Sequence, residues 1–330
     1  MLSDPQRTKP AGHVSAIDPL RGMAALAVAL FHFTNNGWLP PEHWLTRLGF
    51  FGHYGVRTFL VISGFVVPYA MWMGGYTVGS LPAFLARRFT RIHPPYLASA
   101  LFLLASRQWN PAGNAQQFDG WDLAGHLVLA NEALGRPWLM TVYWTLALEA
   151  QFYLFAGLAW PLLVTRRQSV FAAIAVFGLV AGVVWPGNAW LVGKAAYFLL
   201  GLALFRQHAG LDKTRTSVGL IALIAAAIGR WDGAAALIAA LLPVIAKFAI
   251  DTVSTTGRHL GRVSYSLYLF HLLAGTAFLN FLAPWVTSTF WRCALVPVAL
   301  ALALVAAELA YRWIESPSIR WSRRFRYHAR

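Results

Sequence analysis

The chain has 330 residues, of which 58% are hydrophobic and only 12% are charged. A soluble domain carries roughly twice that charged fraction, so the composition excludes an ordinary soluble protein. The formal net charge of +15 does not indicate nucleic-acid binding, because the basic residues stand in short loops between apolar runs. The single cysteine, Cys293, excludes an internal disulfide and a cysteine-rich metal site.

Apolar runs recur along nearly the whole chain, each close to the roughly 20 residues that a helix needs to cross a bilayer. They predict an all-α, polytopic membrane bundle of about ten transmembrane helices. The predicted spans are about 17–36, 50–72, 93–107, 141–164, 169–185, 190–206, 216–229, 233–250, 264–283 and 291–313. This domain of residues 17–313 is flanked by a polar tail at 1–16 and a basic tail at 314–330. The longest polar interval, 108–140, is the predicted place for an extramembrane lid or substrate contact.

The distribution of lysine and arginine predicts the orientation of this bundle. Ten spans place both termini on one side. Nineteen of the 27 basic residues fall on that side and six on the other, with Arg21 and Arg57 set aside. Basic residues concentrate on the cytoplasmic side of membrane proteins, so both termini are predicted to be cytoplasmic.

The first span, IDPLRGMAALAVALFHF, carries two basic side chains on one face. Arg21 and His32 are eleven residues apart, close to three helical turns, which separates them by about 16 Å along the axis. Arg21 lies at the predicted cytoplasmic boundary and His32 past the midplane, where an ionisable group is costly and is by default a functional candidate. Both residues also have a purely structural interpretation. His32 could be a buried histidine bonded to a neighbouring carbonyl, and Arg21 an interfacial arginine whose guanidinium extends to water.

Glu149 lies in the fourth span, which runs in the opposite direction. Counted from the outer ends of the two spans, Glu149 and His32 fall at a similar depth. If the two helices are neighbours, the carboxylate would hold one imidazole nitrogen and raise the basicity of the other, as suits proton removal from a hydroxyl. Glu149 could instead bind acceptor hydroxyls or only hold helices together.

A basic cluster follows the second span. Arg88 and Arg91 are three residues apart and share a helix face, at the same boundary as Arg21. Converging guanidinium groups suit a phosphate-bearing ligand, although membrane topology alone also explains basic residues there and is our interpretation of Arg87. A ligand could bind here by its polyphosphate and extend its reactive end to a base further out in the membrane. Such a ligand would be an activated donor from the cytoplasm that serves an external acceptor.

Six fragments in this order resemble membrane acyltransferase family 3, which includes bacterial O-antigen and exopolysaccharide acetyltransferases. Thr145 stands where the family's W-S-L element has serine. The fragments are the basic residue and histidine at Arg21 and His32, GVRTFLVISGFVV with Ser63, RRFTRIHPPY with Arg88, Arg91 and Tyr96, WTLALEAQFYL with Glu149 and Tyr153, SYSLYLFHL with Tyr265 and His271, and E-S-P at 315–317.

The resemblance implies a multi-pass enzyme of the bacterial inner membrane that moves an acyl group, most often acetyl, from acyl-CoA to a hydroxyl, commonly of a sugar. Acyl-CoA would be a co-substrate, with no permanently bound cofactor and no metal. The partners would be acyl-CoA, a glycan or other hydroxyl-bearing acceptor and the lipid bilayer, without nucleic acid. His32 and Glu149 are the predicted catalytic residues, and Arg21, Arg88 and Arg91 the predicted donor-binding residues.

Three further residues are weaker candidates for substrate binding, namely Tyr265, His271 and Ser63. Polar groups in a bundle often serve as helix–helix contacts instead. Ser63 lacks the G-x-S-x-G elbow of a serine nucleophile, and both direct transfer and an acyl-His32 intermediate stay open.

Two other classes of protein fit parts of the pattern. A proton-coupled secondary transporter of a polar metabolite would also use a buried histidine and glutamate, but no inverted halves are detectable. A non-catalytic partner in a glycan-assembly complex would not need the intact set of Arg21, His32 and Glu149.

Overall fold

The computed structural model describes residues 17–109, 119–188, 190–249 and 254–327, and this part of the chain is helical with no strand. The predicted tail at 1–16 lies outside the described residues. In chain order the helices of the described part are α1 (Ile17–Asn35), α2 (Trp44–Phe50), α3 (Gly55–Met73), α4 (Leu81–Trp109), α5 (Gly120–Val128), α6 (Trp144–Leu158), α7 (Trp160–Leu163), α8 (Gln168–Val184), α9 (Ala195–His208), α10 (Thr214–Ala249), α11 (Thr255–His271), α12 (Ala277–Leu282), α13 (Thr289–Ala310) and α14 (Ser316–Ser322).

A helix lies at each predicted span. The seventh and eighth spans are the two parts of α10, which breaks at Gly233 because the backbone there has φ 85° and ψ 175°, a conformation that only glycine adopts readily. Four stretches of the described chain are long and apolar enough to cross a membrane: Trp44–Met73, Thr214–Ala246, Thr255–Leu282 and Thr289–Ser322. The all-helical membrane class is confirmed, whereas the number of about ten spans and the cytoplasmic termini stay predictions.

Two π-helical turns continue the late helices. Leu272–Thr276 joins α11 to α12, and Tyr311–Glu315 joins α13 to α14, so that the helix runs on past the predicted end of the last span. A π turn inserts an extra residue into the helical repeat and changes the face that its neighbours present. Both turns lie next to side chains of the candidate site.

Glycines set the distances between the central helices. A Cβ atom at Gly261 of α11 would overlap the carbonyl oxygen of Asp18 in α1, and one at Gly64 of α3 would overlap the backbone of Phe198 in α9. Small residues allow such close backbone approach in membrane bundles, where packing rather than the hydrophobic effect drives association. The contacts fix α1 against α11 and α3 against α9, and α1 also packs against α3.

Candidate active site

A cavity of about 110 Å³ lies between α1, α3, α4, α6 and α11, which is room for on the order of eight water molecules. We call it the arginine chamber. Six of the eight predicted site residues line it, and His32 and His271 do not. The six are Arg21, Ser63, Arg88, Arg91, Glu149 and Tyr265.

Arg91 is close enough to interact electrostatically with both other arginines of the chamber, Arg21 and Arg88. Within the described residues none of them makes a hydrogen bond or a salt bridge. Arg88 lies over the rings of Phe84 and Tyr153, at 5.6 and 5.2 Å, and its Nε is buried without a partner. The chamber therefore presents guanidinium donors whose hydrogen-bonding capacity is unused.

Two carboxylates share the chamber with the arginines. Glu149 accepts hydrogen bonds at Oε1 from Ser63, at 3.2 Å, and from Tyr153, at 2.5 Å. Glu315, which is buried, accepts one from Ser266 at 2.6 Å and interacts electrostatically with Arg21 and Arg91. Each carboxylate is thus held by hydroxyl groups and balances only part of the positive charge.

His32 lies elsewhere, against His271, with the two ring centroids 5.2 Å apart. His271 is fully buried at the end of α11, and its Nδ1 lies 2.9 Å from the carbonyl oxygen of Tyr268 and 3.1 Å from that of Leu267. The exposed Asn36, one turn beyond His32, interacts with the His32 ring. We call His32 and His271 the histidine pair.

The proposed hydrogen bond between Glu149 and His32 is not present among the described contacts. α6, which carries Glu149, packs against α3 and α4, and its carboxylate bonds to Ser63 and Tyr153. The sequence predicted a similar depth for the two residues, but α1 and α6 are not among the closely packed helix pairs of the described chain. A catalytic role for Glu149 stays a prediction.

Tyr268 separates the arginine chamber from the histidine pair. Its ring lines the chamber and lies 6.2 Å from the ring of His271, centroid to centroid. Its hydroxyl is bonded to the carbonyl oxygen of Val142 at 3.1 Å and to the hydroxyl of Thr145 at 2.9 Å. The histidine pair therefore lies one helical turn beyond the far wall of the chamber.

Part of the polar interval forms a cap on α4, which we define as residues 119–140. His126 of α5 is buried between the hydroxyl of Tyr96, 2.7 Å from Nδ1, and the backbone N–H of Leu139, which donates to Nε2 at 3.1 Å. Burial lowers the pKa of His126 to about 4, with partial compensation by the charge of Asp122. The cap is thus fastened to the bundle through a neutral histidine.

Sequence reasoning did not select Tyr268 or Glu315 as site residues, although both lie in fragments that carry the resemblance. Tyr268 looks like any aromatic residue of an apolar helix, and Glu315 lies beyond the predicted end of the last span. No group of three or more metal-binding side chains occurs among the residues that the structure describes.

The site thus combines a cavity rich in unpaired cations with a separate histidine pair, inside an all-helical membrane protein. The model of the acyltransferase domain of acyltransferase family 3 matches residues 14–308, which is most of the chain. The chain belongs to this family of membrane acyltransferases, and the resemblance seen in its motifs is confirmed. No curated protein and no solved structure matches it.

Proposed function

We propose that the protein is an acyl-CoA-dependent O-acyltransferase of the bacterial inner membrane, which moves an acyl group, most often acetyl, to a hydroxyl of an extracytoplasmic or lipid-linked glycan. The observation that carries the proposal is the set of three unpaired guanidinium groups in a chamber whose far wall lies one turn from the histidine pair.

The donor's phosphates bind Arg21, Arg88 and Arg91. Planar guanidinium groups bind phosphate oxygens through paired hydrogen bonds, and these three make no hydrogen bond or salt bridge among the described residues. In this proposal the nucleotide stays at the arginine end of the chamber, and the pantetheine arm runs through the chamber towards Tyr268.

His32 acts as the general base in this proposal. A nitrogen lone pair of His32 takes the proton of the acceptor hydroxyl while the hydroxyl oxygen bonds to the thioester carbonyl carbon. The carbon–sulfur bond then breaks, and the CoA sulfur leaves as a thiolate that takes the proton back from His32. Direct transfer of this kind needs no covalent enzyme intermediate.

Glu149 serves the donor side rather than orienting His32. Its Oε1 is engaged by Ser63 and Tyr153, while Oε2 makes no hydrogen bond within the described chain. In this proposal Oε2 accepts hydrogen bonds from the amide N–H groups of the pantetheine arm. Tyr265, whose hydroxyl donates to the carbonyl oxygen of Ile92 at 2.9 Å, keeps the wall of the chamber in place.

Two neighbouring arginines allow a matched test of donor binding. Arg88 lines the chamber, whereas the guanidinium of Arg87 lies 5.4 Å from the ring centroid of Tyr327 and outside the lining. A lost charge-assisted hydrogen bond costs about 1.5–3 kcal/mol, so Arg88→Gln should raise the KM for acetyl-CoA roughly 10- to 150-fold. Arg87→Gln makes the same change of charge and should leave the KM within about twofold.

The assay uses proteoliposomes, radiolabelled acetyl-CoA and an envelope glycan acceptor. Label in the glycan with wild type and none with His32→Ala supports the transferase and the role of His32. Equal KM changes for the two arginine variants would contradict the assignment of the chamber to the donor. Solute movement without consumption of acetyl-CoA would replace the proposal with the proton-coupled transporter.

A further inference from the structure

We propose that His271 is the positioning residue for His32: its Nε2 accepts a hydrogen bond from one ring nitrogen of His32, so that the other keeps the lone pair that acts as the base. The inference rests on the proposed function in one respect, because it takes His32 as the base. It assigns to a neutral imidazole the role that the sequence suggested for Glu149.

The backbone fixes the tautomer of His271. Carbonyl oxygens only accept hydrogen bonds, so the proximity of Nδ1 to the carbonyls of Leu267 and Tyr268 places the ring proton on Nδ1. In the neutral ring Nε2 then carries a lone pair. This atom is buried and has no hydrogen-bond partner among the described residues. Leaving a buried acceptor without a hydrogen bond is destabilising, so a donor at this position stabilises the site.

The surroundings of the ring identify the donor. Nδ1 faces the backbone of its own helix, and Nε2, on the far side of the ring, therefore points away from α11. The rings in contact with His271 are those of His32, Phe33 and Tyr268. Phe33 has no polar hydrogen, and the hydroxyl of Tyr268 is already bonded to Val142 and Thr145. Of the three rings, His32 alone has an N–H that these bonds do not use, and we assign it as the donor, directly or through one water molecule.

The local backbone holds the two rings together. The π turn Leu272–Thr276 begins directly after His271, and a Cβ atom at Gly275 in that turn would overlap the ring of Phe33, the neighbour of His32. The turn and α1 are therefore in close contact on the side of the histidine pair. π turns occur often at functional sites because they re-aim side chains, and here the turn accompanies the meeting of the two histidines.

We assign the other nitrogen of His32 to the substrate. Asn36, which interacts with the His32 ring, is exposed, so an acceptor hydroxyl can take its place. The result is a hydroxyl, His32 and His271 in sequence, which is the arrangement of a nucleophile, a base and an orienting acceptor.

Two polar substitutions of His271 separate positioning from packing. The side-chain amide of glutamine reaches the position of Nε2 and offers an oxygen there, whereas that of asparagine reaches only the position of Nδ1. His271→Gln should therefore keep the kcat of acyl transfer within about fivefold. His271→Asn should lower it roughly 10- to 100-fold, the usual effect of removing a partner that orients a functional histidine, with little change in the KM for acetyl-CoA.

A spectroscopic measurement makes the test independent of turnover. The ¹⁵N shifts of labelled histidine report the tautomer of His32, whose signal is assigned by its loss in His32→Gln. We expect one tautomer in the wild type and in His271→Gln, and a mixture in His271→Asn.

An unchanged tautomer in His271→Asn, or equal losses of kcat in two variants with wild-type thermal stability, would overturn the inference. A wild-type protein that transfers no acyl group would instead refute the proposed function and leave the tautomer result to decide the contact between the two histidines.

Discussion

Acidification is expected to open the cap through His126. In the closed cap Nε2 of this ring accepts the backbone N–H of Leu139, so Nδ1 carries the proton and donates to the hydroxyl of Tyr96. A second proton on Nε2 removes the bond to Leu139 and places a charge in a buried site. Burial accordingly lowers the pKa of His126 to about 4.

The sign and the magnitude follow from linkage between protonation and opening. In the open segment the imidazole regains a pKa of about 6.5, so the open form binds more protons than the closed form as the pH falls below that value. The closed cap keeps its full stability above pH 6.5 and loses it between pH 6.5 and pH 4. The difference between the two pKa values corresponds to about 3 kcal/mol at pH 4, or roughly a 150-fold increase in the opening equilibrium.

Hydrogen–deuterium exchange of peptides from residues 119–140, corrected for the intrinsic effect of pH, measures this opening. His126→Gln is the control, because its amide oxygen can still accept from Leu139 but does not titrate. The same loss of protection in both proteins would refute the role of His126. Asp119 is not expected to contribute in this window, because the backbone N–H of Asp122 and the guanidinium of Arg136 hold its pKa below the ordinary value.

Three further predictions concern helix packing, a buried ion pair and the fixed position of one aromatic ring. Gly261→Val should lower the thermal midpoint of unfolding in detergent, since overpacking against α1 costs about 1–3 kcal/mol. Gly219→Val is the control and should leave the midpoint unchanged, because the space at its Cβ position is open. Equal shifts in the two variants would contradict the packing argument. Asp212→Asn should destabilise by about 3–5 kcal/mol, read from the same midpoint, because it leaves the fully buried Arg206 without its counter-charge. Tyr268→Phe should lower the kcat of acyl transfer roughly threefold to tenfold, since about 1 kcal/mol of hydrogen bonding that positions the ring is lost; an unchanged rate would show that the ring needs no fixed position.

The helices could be placed from the sequence because length and apolarity alone determine where a membrane helix forms. The extent of α4 could not. Pro94 and Pro95 argue for a break, yet the helix runs without interruption from Leu81 to Trp109. Proline is tolerated in membrane helices where neighbouring groups satisfy the freed backbone. Such compensation depends on tertiary neighbours that the local sequence does not reveal.

Counting residues along the predicted spans grouped some of the site residues but did not show which helices touch. The predicted common boundary grouped Arg21 with Arg88 and Arg91, and all three line the arginine chamber. Which helices touch is decided by close contacts such as that of Gly261 with α1, which no residue count reveals. Glu149 was predicted at the depth of His32 but has a different set of neighbours, and the position beside His32 belongs to His271.

The distance between the chamber and the histidine pair restricts the donor. Arg21 and His32 lie on one uninterrupted helix, about 16 Å apart along its axis. In the proposed function this helix sets the separation between the donor's phosphate and the base. A donor whose phosphate adjoins its reactive carbon, such as an acyl phosphate, cannot reach both ends at once. A donor with a long, narrow arm between phosphate and thioester can. Within the proposed function, the length of α1 therefore adds an argument for acyl-CoA that rests on distance, once the phosphate is placed at the arginines.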